Sequence, residues 1–454
     1  MSKKKQQVLF LGRKIWGGGA EKVIYYLSHR LDKNLFEPHV AYMIRQDDAP
    51  VSYDPSIPTY CVDANPVNQQ IIKVSQQKAK ISRYFLDKTP ASIKTRMKSF
   101  LIKKTTEIQM RLNPADLVST ERFEILIELG NLSRSFSAPL TYSYGYKRIL
   151  SGLREDTILA SFQEEPTVQA WLNQIYNSHS YISYLCAPES IHLPLMYPEN
   201  QRLGIEKWMF SNACRVANYV TVPTIWMRDD MVKEFGTPHN NVKIIPNPID
   251  CNLVVQNSEL PLELNFGLAG KTVFVQLARL DRQKNHVLTV EACEILRQKY
   301  DDFIVLLIGD GSEKSRIEQM VIEKNLQNHI IFLGEQSNPY PYLKIARSSI
   351  LTSTFEASPL ALMDAMLLGA VPISVDCISG PSDILGDGRF GLLVPENDPE
   401  KFADAMLHMA LDDGLWQQLR KLGMEHAYNF DISLFVDAWT KMLLEIRDGK
   451  SLRH

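Results

Sequence analysis

Four short stretches of this sequence set groups that handle anions and hydroxyls beside backbone able to approach a ligand. Arg279-Leu-Asp-Arg-Gln-Lys284 offers two fixed cations. Arg grips through a planar fork and Lys as a point charge, a pair suited to a diphosphate. Phe355-Glu356-Ala-Ser358-Pro359-Leu360-Ala-Leu-Met-Asp364 carries two carboxylates around a helix start. Ser358 is a favourable N-cap and Pro359 suits the first helical position, so the free amides there face an anion. Asp364, inside an otherwise apolar helix, needs a partner. The turn Ile308-Gly309-Asp310-Gly311 lies at another strand end, and the loop Gly12 to Gly19 holds Gly12, Gly17, Gly18 and Gly19. That loop is not G-x-G-x-x-G, and G-x-x-x-x-G-K fails because Gly18 stands where Lys belongs, which disfavours a dinucleotide or Walker-type site. Taken together, carboxylates for hydroxyls and cations with amides for phosphates fit a nucleotide sugar. Taken singly, each stretch also has an ordinary reading: a tight turn, a solubilising loop, a capped core helix with one stray acid.

These groups need elements to position them. Val8–Leu11, the helical pattern Glu21–Leu31 and the strand His39–Ile44 make a β-α-β unit, hence a parallel sheet. The same grammar returns with strands at Thr272–Leu277, Phe303–Ile308, Ile330–Leu333, Ser349–Thr352 and Val371–Val375 and a helix over Val287–Lys299. Their near-continuous apolar character predicts strands covered on both faces. Arg279 and Lys284 then follow the C-terminal end of a strand, the edge where open α/β sheets bind ligands. Ile244-Ile-Pro-Asn-Pro-Ile-Asp250, stiffened by two prolines, marks a domain boundary. After Pro399 the pattern is helical to about Arg447. This reading gives an N-terminal domain over 1–245 with a basic helical insertion at 66–113, a C-terminal domain over 246–430, and a helix and tail over 431–454.

At 454 residues, 45% hydrophobic and 22% charged, the chain has the makeup of two or three globular domains and not of a disordered or fibrous protein. Its 50 Lys+Arg balance 52 Asp+Glu, so no global basic field marks a nucleic-acid binder. Six cysteines without a C-x-x-C pair argue for a reducing compartment. The apolar run after Lys3-Lys-Lys5 is too short for a signal peptide, and no run suits a membrane span. The expectation is a cytoplasmic chain. Residues 66–113 hold eleven Lys/Arg against Asp87 and Glu107, with helically spaced apolar residues. They read equally well as a basic amphipathic surface for anionic lipid and as a solvated cationic face.

Arg279 with Lys284, and Glu356 eight residues before Asp364, resemble the donor site of retaining glycosyltransferases of the GT-B fold, family 4, the group 1 glycosyl transferases. The likeness extends to Gly17-Gly-Gly-Ala-Glu21, Ile245-Pro-Asn-Pro-Ile-Asp250, Gly309-Asp-Gly311 and Asp387-Gly-Arg-Phe-Gly-Leu-Leu393. It covers residues 8–45 and 215–430 and is poor over 50–210. The resemblance implies an α/β chain of two Rossmann-like domains facing a central cleft. It implies transfer of a hexose-type sugar from a nucleotide sugar, UDP-linked donors favoured, to a glycan or polyprenyl-linked glycan in bacterial surface polysaccharide synthesis, with no cofactor and no bound metal. Arg279, Lys284 and Glu356 would be catalytic; Gly17, Gly18, Gly19, Gly309, Ser358, Pro359, Leu360 and Asp364 would complete the donor site. Asp364 stands where the family has Glu. His179 and His192 are candidates for the family's N-domain histidine. The alternatives are a catalytically silent GT-B subunit that binds a partner or membrane, and a GT-B enzyme of different chemistry.

Overall fold

Apolar strands alternating their side chains between two helical layers build the part of the molecule that carries the site. The computed structural model describes residues 4–14, 19–43, 53–61, 149–150, 152–163, 166–168, 170–171, 179–191, 200–262 and 267–449. The 66–113 segment, Gly17, Gly18 and His192 lie outside them.

The chain divides into two α/β units. The first takes residues 1–222, 228–243 and 439–454; the second takes 223–227 and 244–438. In the first, β1 (Gln6–Gly12), β2 (Phe36–Tyr42), β3 (Thr59–Cys61), β4 (Ile158–Phe162), β5 (Tyr181–Tyr184), β6 (Tyr219–Val222) and β7 (Val242–Ile244) form a sheet in the order β3-β2-β1-β4-β5-β6-β7. Phe162 and Tyr184 meet Trp439 from the C-terminal helix Ile432–Arg447, the Phe162 and Trp439 rings stacking at 5.7 Å, and Phe10 packs on Phe162 from β1. The strand expected at His39–Ile44 runs instead over Phe36–Tyr42, opposite Gln6–Gly12. Pro38 lies within the observed strand, opposite Val8. It is tolerated because β3 pairs only with Val40–Tyr42, so β2 is locally an edge at the proline.

In the second unit, β8 (Thr272–Leu277), β9 (Phe303–Ile308), β10 (Ile330–Gly334), β11 (Ser348–Leu351), β12 (Val371–Val375) and β13 (Leu392–Val394) lie in the order β10-β9-β8-β11-β12-β13, paired in parallel. Phe274, Val305, Leu307, Ile350 and Ile373 enter one core with the helices His286–Lys299 and Pro399–Leu411. Their neighbours Val273, Val275, Ile304, Leu306 and Leu351 enter the other, against Cys251–Ser258, Tyr340–Ile345 and Leu360–Leu367. Both faces are therefore covered, as the apolar strands require. The strand order reverses between β8 and β11, and the loops that leave these two strands flank the crevice in which doubly wound sheets hold ligands. No helix among the described residues is long and apolar enough to cross a membrane.

Candidate functional site

The loop after β8 brings the first cations. Asp281 caps the short 3-10 turn Arg282–Lys284: its Oδ1 accepts the Lys284 amide at 3.2 Å, and its Oδ2 takes the Arg279 guanidinium at 2.9 Å. One carboxylate thus fixes the spacing of both cations. Arg279 stays 72% exposed, open to a ligand. Lys284 turns inward.

The loop after β11 supplies its partner. Nζ of Lys284 lies 2.5 Å from Oε1 of Glu356, with only 17% and 8% of the two side chains exposed. Ser353 donates to the same carboxylate oxygen at 2.6 Å. The two loops are laced by their backbones as well: the Thr354 amide donates to the Gln283 carbonyl, and the Gln283 amide side chain donates to the Phe355 carbonyl. Beneath them, Thr289, Gln276 and Thr352 form a buried chain of hydrogen bonds ending on the Lys284 carbonyl. A satisfied polar network of this kind rigidifies what it supports.

Gly309 holds the Arg279 loop from the other side. Its φ is +142°, and a Cβ there would stand 2.1 Å from the Ala278 carbonyl oxygen. Gly311 presses as closely on Leu280. Only glycine lets the β9 turn pack against the peptides that carry Arg279.

The helix expected to open with Ser358 as cap begins one residue later. Pro359 is the cap of Leu360–Leu367, and no side chain caps it. The Pro359 carbonyl accepts the first turn's bond from the Leu362 amide. The Ser358 carbonyl is taken by the Asn247 side chain at 3.2 Å, while its buried Oγ has no partner among the described residues. Asp364 is buried about one turn into the apolar helix, and its charge acts on Cys251. Burial, the bond to Asp431, and the charges of Asp431, Asp250 and Asp364 push the Cys251 thiol up to about 12. Gly19 starts the first unit's helix Gly19–Arg30. His179 precedes β5, at the N-terminal edge of its sheet, and bonds through Nδ1 to the Glu155 carbonyl. That is a structural contact at the sheet edge opposite the one that binds ligands.

Sequence reasoning missed Ser353, Gln276 and Gln283. The run Thr352-Ser-Thr354 at a strand end was the available signal for the first. It also missed His286, buried beside Lys284 with neither ring nitrogen partnered among the described residues. Burial pushes its pKa down to about 4. Between that value and the ordinary 6.5 the unfolded chain binds the extra proton, so stability falls with acidity across this window. His286→Leu is expected to move the acid-unfolding midpoint to lower pH, measured by circular dichroism; an unmoved midpoint would contradict it.

The family model of glycosyl transferases group 1 matches residues 266–426, the span that holds Arg279, Lys284, Gly309, Glu356 and Asp364. The matched span lies wholly within the second unit. An uncharacterized glycosyltransferase of Methanocaldococcus jannaschii is 28% identical over 51% of this chain and 64% of its own length, so the match spans less than two thirds of that relative. The N-acetylgalactosamine-N,N'-diacetylbacillosaminyl-diphospho-undecaprenol 4-alpha-N-acetylgalactosaminyltransferase of Campylobacter jejuni is 25% identical over 63% of this chain and 75% of its length. Anabaena Alr3699/HepE, solved with UDP, matches with TM-score 0.67 and 15% identity over 97% of this chain and 100% of its own. The structural likeness establishes the GT-B fold class for the chain.

Proposed function

We propose that the chain is a retaining glycosyltransferase that moves a hexose-type sugar from a nucleotide sugar, UDP-linked by preference, to a glycan or polyprenyl-linked glycan of a bacterial surface polysaccharide. The observation that carries this is the Lys284–Glu356 pair at the point where the strand order reverses. In this reading residues 246–430 bind the donor and residues 1–245 the acceptor. Lys284 and the exposed Arg279 hold the diphosphate and stabilise the departing nucleotide. Glu356 takes hydroxyls of the transferred sugar through its carboxylate oxygens. The uncapped start of Leu360–Leu367, with Ser358, Pro359 and Leu360, faces phosphate. Asp364 binds the ribose, and the Gly17–Gly19 loop approaches the donor. The acceptor attacks on the face the nucleotide leaves, with the leaving phosphate as base and no metal. The names of the Campylobacter relative and of the UDP complex support the lipid-linked acceptor and the nucleotide. Residues 66–113 provide the peripheral contact with anionic lipid at the cytoplasmic face.

Calorimetric titration with UDP, GDP, CDP and ADP tests the donor side. One nucleotide, UDP, is expected to bind, and Arg279→Ala to bind it about tenfold more weakly, the equivalent of about 1.4 kcal/mol. Folded protein that takes none of the four would overturn the proposal and favour a silent subunit.

A further inference from the structure

We propose that Thr224 and Ser379 are positioning residues for the donor loops, tying Glu356 and the start of the phosphate-facing helix to the stretches where the chain passes between its two units. The proposal rests on the donor-site reading above and adds residues that lie outside it.

Ser379 and Gly380 take consecutive positive φ values of 63° and 93°. Glycine adopts that region freely, but serine does so only where its surroundings hold it there. Ser379 is buried, and its Oγ lies 2.8 Å from the Oγ1 of Thr224, itself 2% exposed. The conformation has a purpose visible in its neighbours. The Ile378 carbonyl, one residue earlier, accepts the Glu356 amide, and Phe355 and Ile378 form an isolated bridge. A Cβ on Gly380 would stand 2.9 Å from the Ala357 carbonyl oxygen and 3.0 Å from Cδ of Pro359. The left-handed pair therefore lays the 377–380 backbone directly onto Ala357–Pro359, between Glu356 and the helix it precedes.

Thr224 lies in 223–227, the short stretch that belongs to the second unit while the residues on either side belong to the first. The same stretch bonds once more, through the Ile225 amide to the Asp383 carboxylate. Where the chain next enters the second unit, at residue 244, Asn247 donates to the Ser358 carbonyl. Two separate passages of the chain thus end in hydrogen bonds to the two loops that frame Glu356. Thr224 also accepts from the Met227 amide, at the start of the helix Ile225–Phe235. Ser379→Ala is therefore the cleaner probe: it removes the bond between the loops and leaves that helix cap intact.

The test uses the full chain and two readouts. In Ser379→Ala, hydrogen exchange at the Glu356 amide is expected to quicken about tenfold, reporting local opening of the loop, while β8, β9 and β12 amides keep their rates. UDP affinity is expected to weaken about tenfold with the melting temperature held, and Thr224→Ser, which keeps the hydroxyl, to match the parent in both. Thr224→Val serves as the second variant should the first fail to fold. Unchanged exchange at Glu356 would overturn the positioning role whatever the ligand. A parent chain that binds no UDP, with exchange at Glu356 still quickened in Ser379→Ala, would instead sink the donor reading and leave the loop contact standing.

Discussion

Lys284→Ala is expected to lower kcat/KM for the donor sugar by about 10²–10³, the usual cost of removing one charge-stabilising group from a transfer site. It is also expected to destabilise the second unit by about 3 kcal/mol. The reason is asymmetry: Glu356 is almost fully buried, and its carboxylate would lose the cation at 2.5 Å and keep, among the described residues, the Ser353 hydroxyl. A partly buried pair gives little net stability as a pair, yet breaking it by removing one member leaves a charge that nothing offsets. The two effects separate in a double variant. Lys284→Met with Glu356→Gln should recover most of the lost stability and none of the activity. Urea unfolding and initial-rate kinetics decide the matter, and a double variant as unstable as the single one would show that the pair is not the cause.

Gly309→Ala is the second large effect expected, a loss of about 3 kcal/mol, or roughly 10 °C in melting temperature for a unit of this size. The added methyl would meet the Ala278 carbonyl at 2.1 Å, a backbone atom that no rotamer change can move, in a φ region that alanine also resists. Because that peptide leads into Arg279, nucleotide affinity should fall with stability. Gly334→Ala provides the control. Its φ is +68° and nothing lies within 4 Å of the new methyl, so only conformational strain of about 1 kcal/mol applies. Equal losses in the two variants would remove packing against Ala278 as the explanation.

Much of the second unit was legible before any coordinates. β8, β9 and β12 have the bounds their apolar runs predict, because strands covered on both faces need unbroken hydrophobic stretches. Two parallel α/β sheets followed from the same grammar, and Lys284 and Glu356, which the structure pairs, stood out by type and spacing. Less was legible where the deciding partner is far off in sequence. Thr224 and Ser379 are 155 positions apart, and nothing local marks either. Ser358 looked like a cap because its chemistry suits one; the proline after it took the position instead, and the Ser358 carbonyl went to Asn247, 111 positions earlier. Gln276 was hidden inside an apolar strand, where only the fold shows that its amide meets two threonines.

Trp439 has a consequence for how the molecule comes into being. It is wholly buried and stacks on Phe162 in the first unit, yet it is synthesised after every residue of the second. Domains that end before their successors begin can fold in order as they leave the ribosome. Here the earlier unit emerges with a gap in its aromatic core, and that gap closes only after residues 244–438 have followed it out. Until then the exposed faces of Phe162 and Tyr184 are a site for wrong contacts, so nascent chains stalled before residue 439 should draw chaperones more strongly than chains that include it.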